Sequence, residues 1–162
     1  MTWHDVKVAS LQKMYAISGD LLLGDEATND YIKAMPYAAN EGMLRLCTVG
    51  QLLVKPLSIE QPLSQEKGFC RYDLQELAAD YLSMAGGQVF YQNASAYGLF
   101  DGYFIEGGRF LLLPKEKPGT FTVYYAARPP VFSEETADTA PIPLSAEAAA
   151  LLPLYIVSQL YK

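Results

Sequence analysis

Acid–base, nucleophilic and metal chemistry would have to begin at histidine, cysteine or clustered carboxylates, and this sequence offers few of them in a usable pattern. His4 is the single histidine, placed where a first helix should begin. A Ser-His-Asp arrangement needs a nucleophile beside the imidazole, and a histidine metal site needs more than one ring. Cys47 and Cys70 have no spaced partners, so they read as small buried hydrophobes rather than as a disulfide framework or zinc ligands. Asp101 and Glu106 form the one carboxylate pair worth weighing. Two acids near an aromatic region could act as acid and base in a small hydrolase, but Arg109 is an expected partner for Glu106. No phosphate-binding glycine loop occurs, and Gly86-Gly87 and Gly107-Gly108 read as turn glycines. The expectation is a non-enzyme with no catalytic residue, no metal site and no cofactor.

The aromatic residues carry more information. Phe90, Tyr91, Tyr97, Phe100, Tyr103, Phe104, Phe110, Phe121, Tyr124 and Tyr125 crowd into one stretch. Strand alternation puts Phe121, Val123 and Tyr125 on one face and Thr122 and Tyr124 on the other. Such rings usually build a sheet core and its rim. Tyr97, Tyr103 and Tyr124 are the candidates for an exposed aromatic surface, either a carbohydrate-binding β module or a protein interface.

Composition limits the partners. Of 162 residues, 51% are hydrophobic and 19% charged, the balance of a chain with a packed core rather than a disordered one. The formal net charge is −6, and Arg45, Arg71, Arg109 and Arg128 are scattered. A nucleic-acid partner would require a basic stripe, and an anionic membrane surface would repel an acidic chain. The N-terminus lacks a basic region followed by an apolar run. The longest apolar stretch, Ala148 to Val157, is interrupted by Pro153 and too short for a bilayer. The expected location is therefore cytoplasmic when synthesised.

The elements that would position these residues follow from periodicity. Trp3 to Tyr15 should be a helix, capped by Thr2 with Asp5 in the capping-box position and faced by Val6, Val8, Leu11 and Met14. Leu21 to Leu23 lie in a connection between Gly19-Asp20 and Gly24-Asp25. A second helix fits Asn29 to Val49, with Thr28 or Asn29 as cap and Gly50 at its end. Its stripe is Ile32, Met35, Ala39, Met43, Leu46 and Cys47, and Pro36 predicts a kink or a break. Residues 1–50 thus form the N-terminal helices.

Residues 51–127 form an inserted tyrosine-rich β region. Leu52 to Ile59 reads as an edge strand around Pro56. Tyr103 to Leu112 reads as a hairpin turned by Gly107-Gly108, with Glu106 opposite Arg109 and Ile105 opposite Phe110. Thr120 to Ala126 should extend it as a meander, joined by Gln88 to Gln92. Residues 128–144, with four prolines, are expected to be an extended, solvated connector. Residues 145–162 form a C-terminal helix capped by Ser145 that completes the bundle. It is apolar nearly all round, so it must be covered on more than one side. Leu151, Leu154, Tyr155, Leu160 and Tyr161 are its candidate protein interface. The expected class is α+β: a bundle of three main helices with an inserted antiparallel meander or small β-sandwich.

Asp30-Tyr31-Ile32-Lys33-Ala34-Met35-Pro36-Tyr37-Ala38-Ala39-Asn40-Glu41 resembles the N-terminal helix of head–tail connector (adaptor) proteins of tailed phages and prophages. Leu151-Leu152-Pro153-Leu154-Tyr155-Ile156-Val157-Ser158-Gln159-Leu160-Tyr161-Lys162 resembles a later helix of those proteins. Tyr72-Asp73-Leu74 and Gly119 to Tyr125 fit their inserted β region. The resemblance implies a non-enzymatic virion structural protein that forms a ring oligomer between portal and tail. It implies itself and portal or tail proteins as partners, a place at the virion head–tail junction, and no cofactor. A small-molecule ligand is not expected. In that family the leucine-rich helix runs on into acidic residues and a further helix, whereas this sequence ends at Lys162.

Overall fold

A computed structural model describes residues 1–15 and 26–160. The predicted connection around Leu21 to Leu23 lies outside them. The expected three-helix bundle with an inserted meander does not describe the molecule. Among the described residues it is a mixed α/β chain with seven strands in two sheets beside five helical segments. It divides into two compact units, one of residues 1–52 and 129–162 and one of residues 53–128.

In the first unit, helix α1 (Trp3–Tyr15) begins on a reciprocal cap. The Thr2 N–H donates to Asp5 Oδ2 at 2.8 Å, and the Asp5 N–H donates to Thr2 Oγ1 at 3.3 Å. Helix α2 (Glu26–Val49) is continuous through Pro36, so the chain does not break there into two helices. Thr28 and Asn29 are therefore helical residues and not caps. At its far end the left-handed backbone falls on Gln51 (φ 49°), not on Gly50. Gly50 is required for another reason: a Cβ there would lie 2.8 Å from the Leu46 carbonyl oxygen.

The predicted final helix is two pieces, α4 (Ala146–Ala149) and α5 (Leu152–Leu160). Ser145 caps the first, its Oγ accepting from the Ala148 N–H at 3.3 Å. Helix α5 packs against both α1 and α2, which hardly meet each other. That arrangement explains a helix so apolar. Leu152 and Ile156, four residues apart, are fully buried among Trp3, Val6, Leu11, Met35, Ala39 and Met43.

Residues 129–144 contain no helix or strand, as expected, but they are not a solvated connector. Phe132 and Ile142 are buried, and the Phe132 ring lies 5.0 Å from that of Trp3. Asn40 grips the Phe132 backbone twice: its Nδ2 donates to the carbonyl at 2.8 Å, and its Oδ1 accepts from the N–H at 2.7 Å. The N–H groups of Trp3 and His4 donate to the carbonyls of Ala140 and Asp138. A proline-rich stretch has few N–H groups to pair, so its order here comes from side chains and from the exposed donors at the start of α1.

The second unit holds both sheets. Strands β1 (Val54–Gln61), β2 (Phe69–Asp73), β3 (Tyr81–Gln92), β4 (Tyr97–Leu99), β5 (Phe104–Glu106), β6 (Phe110–Pro114) and β7 (Gly119–Ala127) are joined by short loops, with helix α3 (Leu74–Leu77) after β2. One sheet has the order β1-β7-β3-β4, the other β2-β6-β5. Strand β1 is an edge, which is where Pro56 can be tolerated. The predicted meander fails between β6 and β7, because both sides of β7 are occupied by β1 and β3. The chain changes sheets at residues 115–118. Buried Gln61 holds that corner, its Nε2 donating to the carbonyls of Pro114 (2.7 Å) and Lys117 (2.8 Å). The inner faces of the two sheets share one core, Leu111 and Leu113 from one meeting Ile59, Val89, Phe121, Val123 and Tyr125 from the other.

Two local expectations also change. Gly86 and Gly87 have φ of +71° and +58°, but they sit in a bulge inside β3, between Met84 and Val89, and not in a turn. The hairpin at Gly107-Gly108 is real but slips by one residue: Glu106 pairs with Phe110 and Ile105 with Leu111. Arg109 joins the turn because its guanidinium grips the Asp73 carboxylate through two nitrogens, with Nε at 2.8 Å. Glu106 is bound instead by Arg71 at 2.8 Å.

Asp73 also accepts from the Gln75 N–H as the cap of α3. The Arg109 hydrogen bond, followed by smaller contributions, holds its carboxyl below the usual carboxylate range despite some desolvation. A depressed folded value stabilises the protein above the unfolded value of about 4, and that contribution is lost as pH falls through the folded value. Asp73→Asn should therefore lower the urea midpoint at neutral pH, and the gap from the parent should close in acid. An undiminished gap at about pH 2 would contradict this account.

Candidate protein interface

The break before α5 decides which of its side chains face outward. Pro153 falls in the first turn, where its missing N–H costs no intrahelical bond. With Leu152 and Ile156 directed inward, Leu151 and Leu154 remain 49% and 54% exposed. Across from them lies the last part of α2, where Val49 is 86% exposed. Between the two helices runs an apolar groove of about 630 Å³, lined by Leu46, Val49, Leu151, Leu154, Tyr155 and Arg45, among others.

Gly42 sets how closely the two helices approach. A Cβ there would lie 2.8 Å from the Tyr155 ring and 3.1 Å from Leu152. Arg45 borders the groove, bonded to Glu41 at 2.7 Å and with its guanidinium carbon 5.5 Å from the centre of the Tyr155 ring. The Tyr155 hydroxyl is withdrawn from solvent and has no hydrogen-bond partner among the described residues. Burial raises its pKa, and the Glu41 carboxylate, close by but outside bonding geometry, adds to the rise.

No family model and no curated protein matches the chain at a significant level.

Of the five predicted interface residues, Leu151, Leu154 and Tyr155 therefore line one groove. Leu160 is half-buried against the helical core, and Tyr161 lies outside the described residues. The α2 wall of the groove escaped sequence reasoning. The available signal was a glycine inside a long helix, together with Val49 lying off the core stripe.

The aromatic candidates separate. Tyr97 and Tyr124 share the outer face of the four-stranded sheet with Phe90 between them, whereas Tyr103 packs against the shared core and donates to the Gly87 carbonyl. Asp101 is exposed, and Glu106 is tied to Arg71, which lowers its pKa and makes it a poor proton donor. Neither carboxylate lines the groove. His4 is exposed, with Nδ1 3.4 Å from Asp138. The two cysteines are free, Cys47 buried and Cys70 partly so. Among the described residues, no group of three or more His, Cys, Asp or Glu could hold a metal ion, and no helix is long and apolar enough to cross a membrane.

Proposed function

We propose that this chain is a non-enzymatic structural subunit that assembles with further copies of itself through the groove between α2 and α5. The part it plays is that of the head–tail connectors of tailed phages and prophages, whose helices its α2 and α5 sequences resemble. In that role the subunits form a ring between portal and tail in the virion.

One observation carries this reading. Leu151, Leu154 and Val49 remain open to water around a groove with almost no polar lining, while the other apolar side chains of α5 are buried or half-buried within their own chain. Contiguous apolar surface of this kind is costly in water and marks association sites. A different face of a second copy, laid into the groove, would supply the missing cover and leave that copy's own groove open to the next subunit, as a ring requires.

Light scattering coupled to size exclusion tests the proposal. The chain should exceed its 17.9 kDa monomer mass and grow heavier with concentration. Leu154→Asp should weaken association at least about tenfold, since a buried leucine contributes about 1.5–3 kcal/mol. A parent chain that stays monomeric at high concentration would rule out self-assembly through this groove.

A further inference from the structure

The outer face of the four-stranded sheet has a different character from the helical groove. Its register sets Tyr97, Gln92, Thr120 and Glu60 in one row across the strands, and Leu99, Phe90, Thr122 and Ser58 in the next. Three rings cross these rows on a diagonal. Tyr97 lies nearly parallel to Phe90, at 11° and 6.0 Å between centroids, and Tyr124 meets Phe90 edge-on at 88° and 5.8 Å. Tyr97 is 66% exposed, so Phe90 backs one side of its ring and leaves the other to solvent.

Apart from Glu60 at the far edge strand, the polar groups around this diagonal are neutral. The Gln92 amide and the Thr120 hydroxyl make no side-chain hydrogen bond among the described residues, and the Ser58 and Thr122 hydroxyls bond each other at 3.1 Å. A shallow depression of about 530 Å³, bordered by Gln92, Asn93 and Thr120, continues from the Tyr97 row. The Asn93 side chain is fixed by bonds from the Ser95 and Ala96 N–H groups, so its edge of the depression is rigid. Among the paired positions on this face Glu60 is the one charged residue, and none is Lys or Arg.

A ligand for such a face must offer flat apolar surface to a phenol ring and uncharged donors and acceptors at its edge. It must also need no cation. A nucleic acid or a sulfated glycan fails on the last point, because phosphate and sulfate are held by Lys and Arg. A pyranose with equatorial hydroxyls meets all three requirements: its C–H face is apolar, and its rim donates and accepts hydrogen bonds.

We propose that this face binds a neutral oligosaccharide, with the exposed side of Tyr97 stacking on one pyranose ring and Gln92 and Thr120 hydrogen-bonding its hydroxyls. The site is independent of the helical groove, so either assignment can fail without the other.

Calorimetric titration of the whole chain with cellohexaose, xylohexaose and chitohexaose tests it. At least one of these sugars should give saturable heat below millimolar concentration. Tyr97→Phe should retain that affinity, because stacking needs the ring and not the hydroxyl. Tyr97→Ala should weaken it about tenfold, as loss of a stacking ring does elsewhere, and Gln92→Ala should weaken it several-fold. Near-UV circular dichroism would establish that each variant keeps its fold. Three results would overturn the proposal: no heat from any of the three sugars, equal affinity in the parent and Tyr97→Ala, or binding of heparin or single-stranded DNA that depends on these same residues.

Discussion

Phe121→Ala is expected to lower the stability of the β unit by about 3–5 kcal/mol, the cost of deleting a fully buried aromatic side chain. Phe121 is 0% exposed, with its ring 5.0 Å from Tyr91 and 5.2 Å from Phe100. It lies on β7, the strand flanked by both β1 and β3, so the cavity would open in the middle of the shared core with little room to collapse. The unit is rich in tyrosine and contains no tryptophan, since Trp3 belongs to the helical unit. Near-UV tyrosine signals in a urea titration should therefore shift strongly. Thr122→Ala, one position along on the outer face, loses only its hydroxyl bond to Ser58 and some strand preference, and should cost about 1 kcal/mol. A loss below about 1 kcal/mol for Phe121→Ala would mean that the two sheets are not packed through this ring.

Trp3→Ala should have an effect of similar size, about 3–5 kcal/mol, on the helical unit. Trp3 is nearly fully buried, contacts Phe132, and has the Lys7 ammonium 5.9 Å from its ring centre. Its loss should also loosen the segment around Phe132, which is held by side-chain contacts rather than by regular structure. Hydrogen exchange reads this directly. The Phe132 N–H, held by Asn40, should exchange faster in Trp3→Ala than in the parent, and Trp3→Phe should restore part of the protection. An unchanged Phe132 amide in a folded Trp3→Ala variant would show that the Trp3 ring does not hold the segment at that point.

These two side chains illustrate how unevenly the fold can be read in advance. The inward orientation of Phe121, Val123 and Tyr125 follows from alternation within one strand. Their partners do not. The hairpin at Gly107-Gly108 suggested that β7 would continue the same sheet, yet Gln61, more than fifty residues earlier, ties down the corner where the chain leaves it. The candidate interface divides in the same way. The excess of apolar residues on the last helix was visible in the sequence. That α1 and α2 cover most of it, and that Gly42 lets Tyr155 close against α2 to leave a groove, depends on helices far apart in the chain.

The sequence by itself determined what rests on near neighbours: the Thr2–Asp5 cap, the Ser145 cap, the glycine-bearing hairpin, the two-residue alternation of β7, and the lack of any histidine or cysteine cluster. Each is decided within a few residues by backbone geometry and hydrogen bonding. Only the tertiary structure decided the one-residue slip at Arg109, the division of the strands between two sheets, the anchoring of residues 129–144, and the positions of the groove and the Tyr97 face. Those depend on contacts such as Arg109 with Asp73, Asn40 with Phe132, and Tyr155 with Gly42. In each case the outcome is set by packing and charge between segments far apart in the chain, which periodicity does not encode.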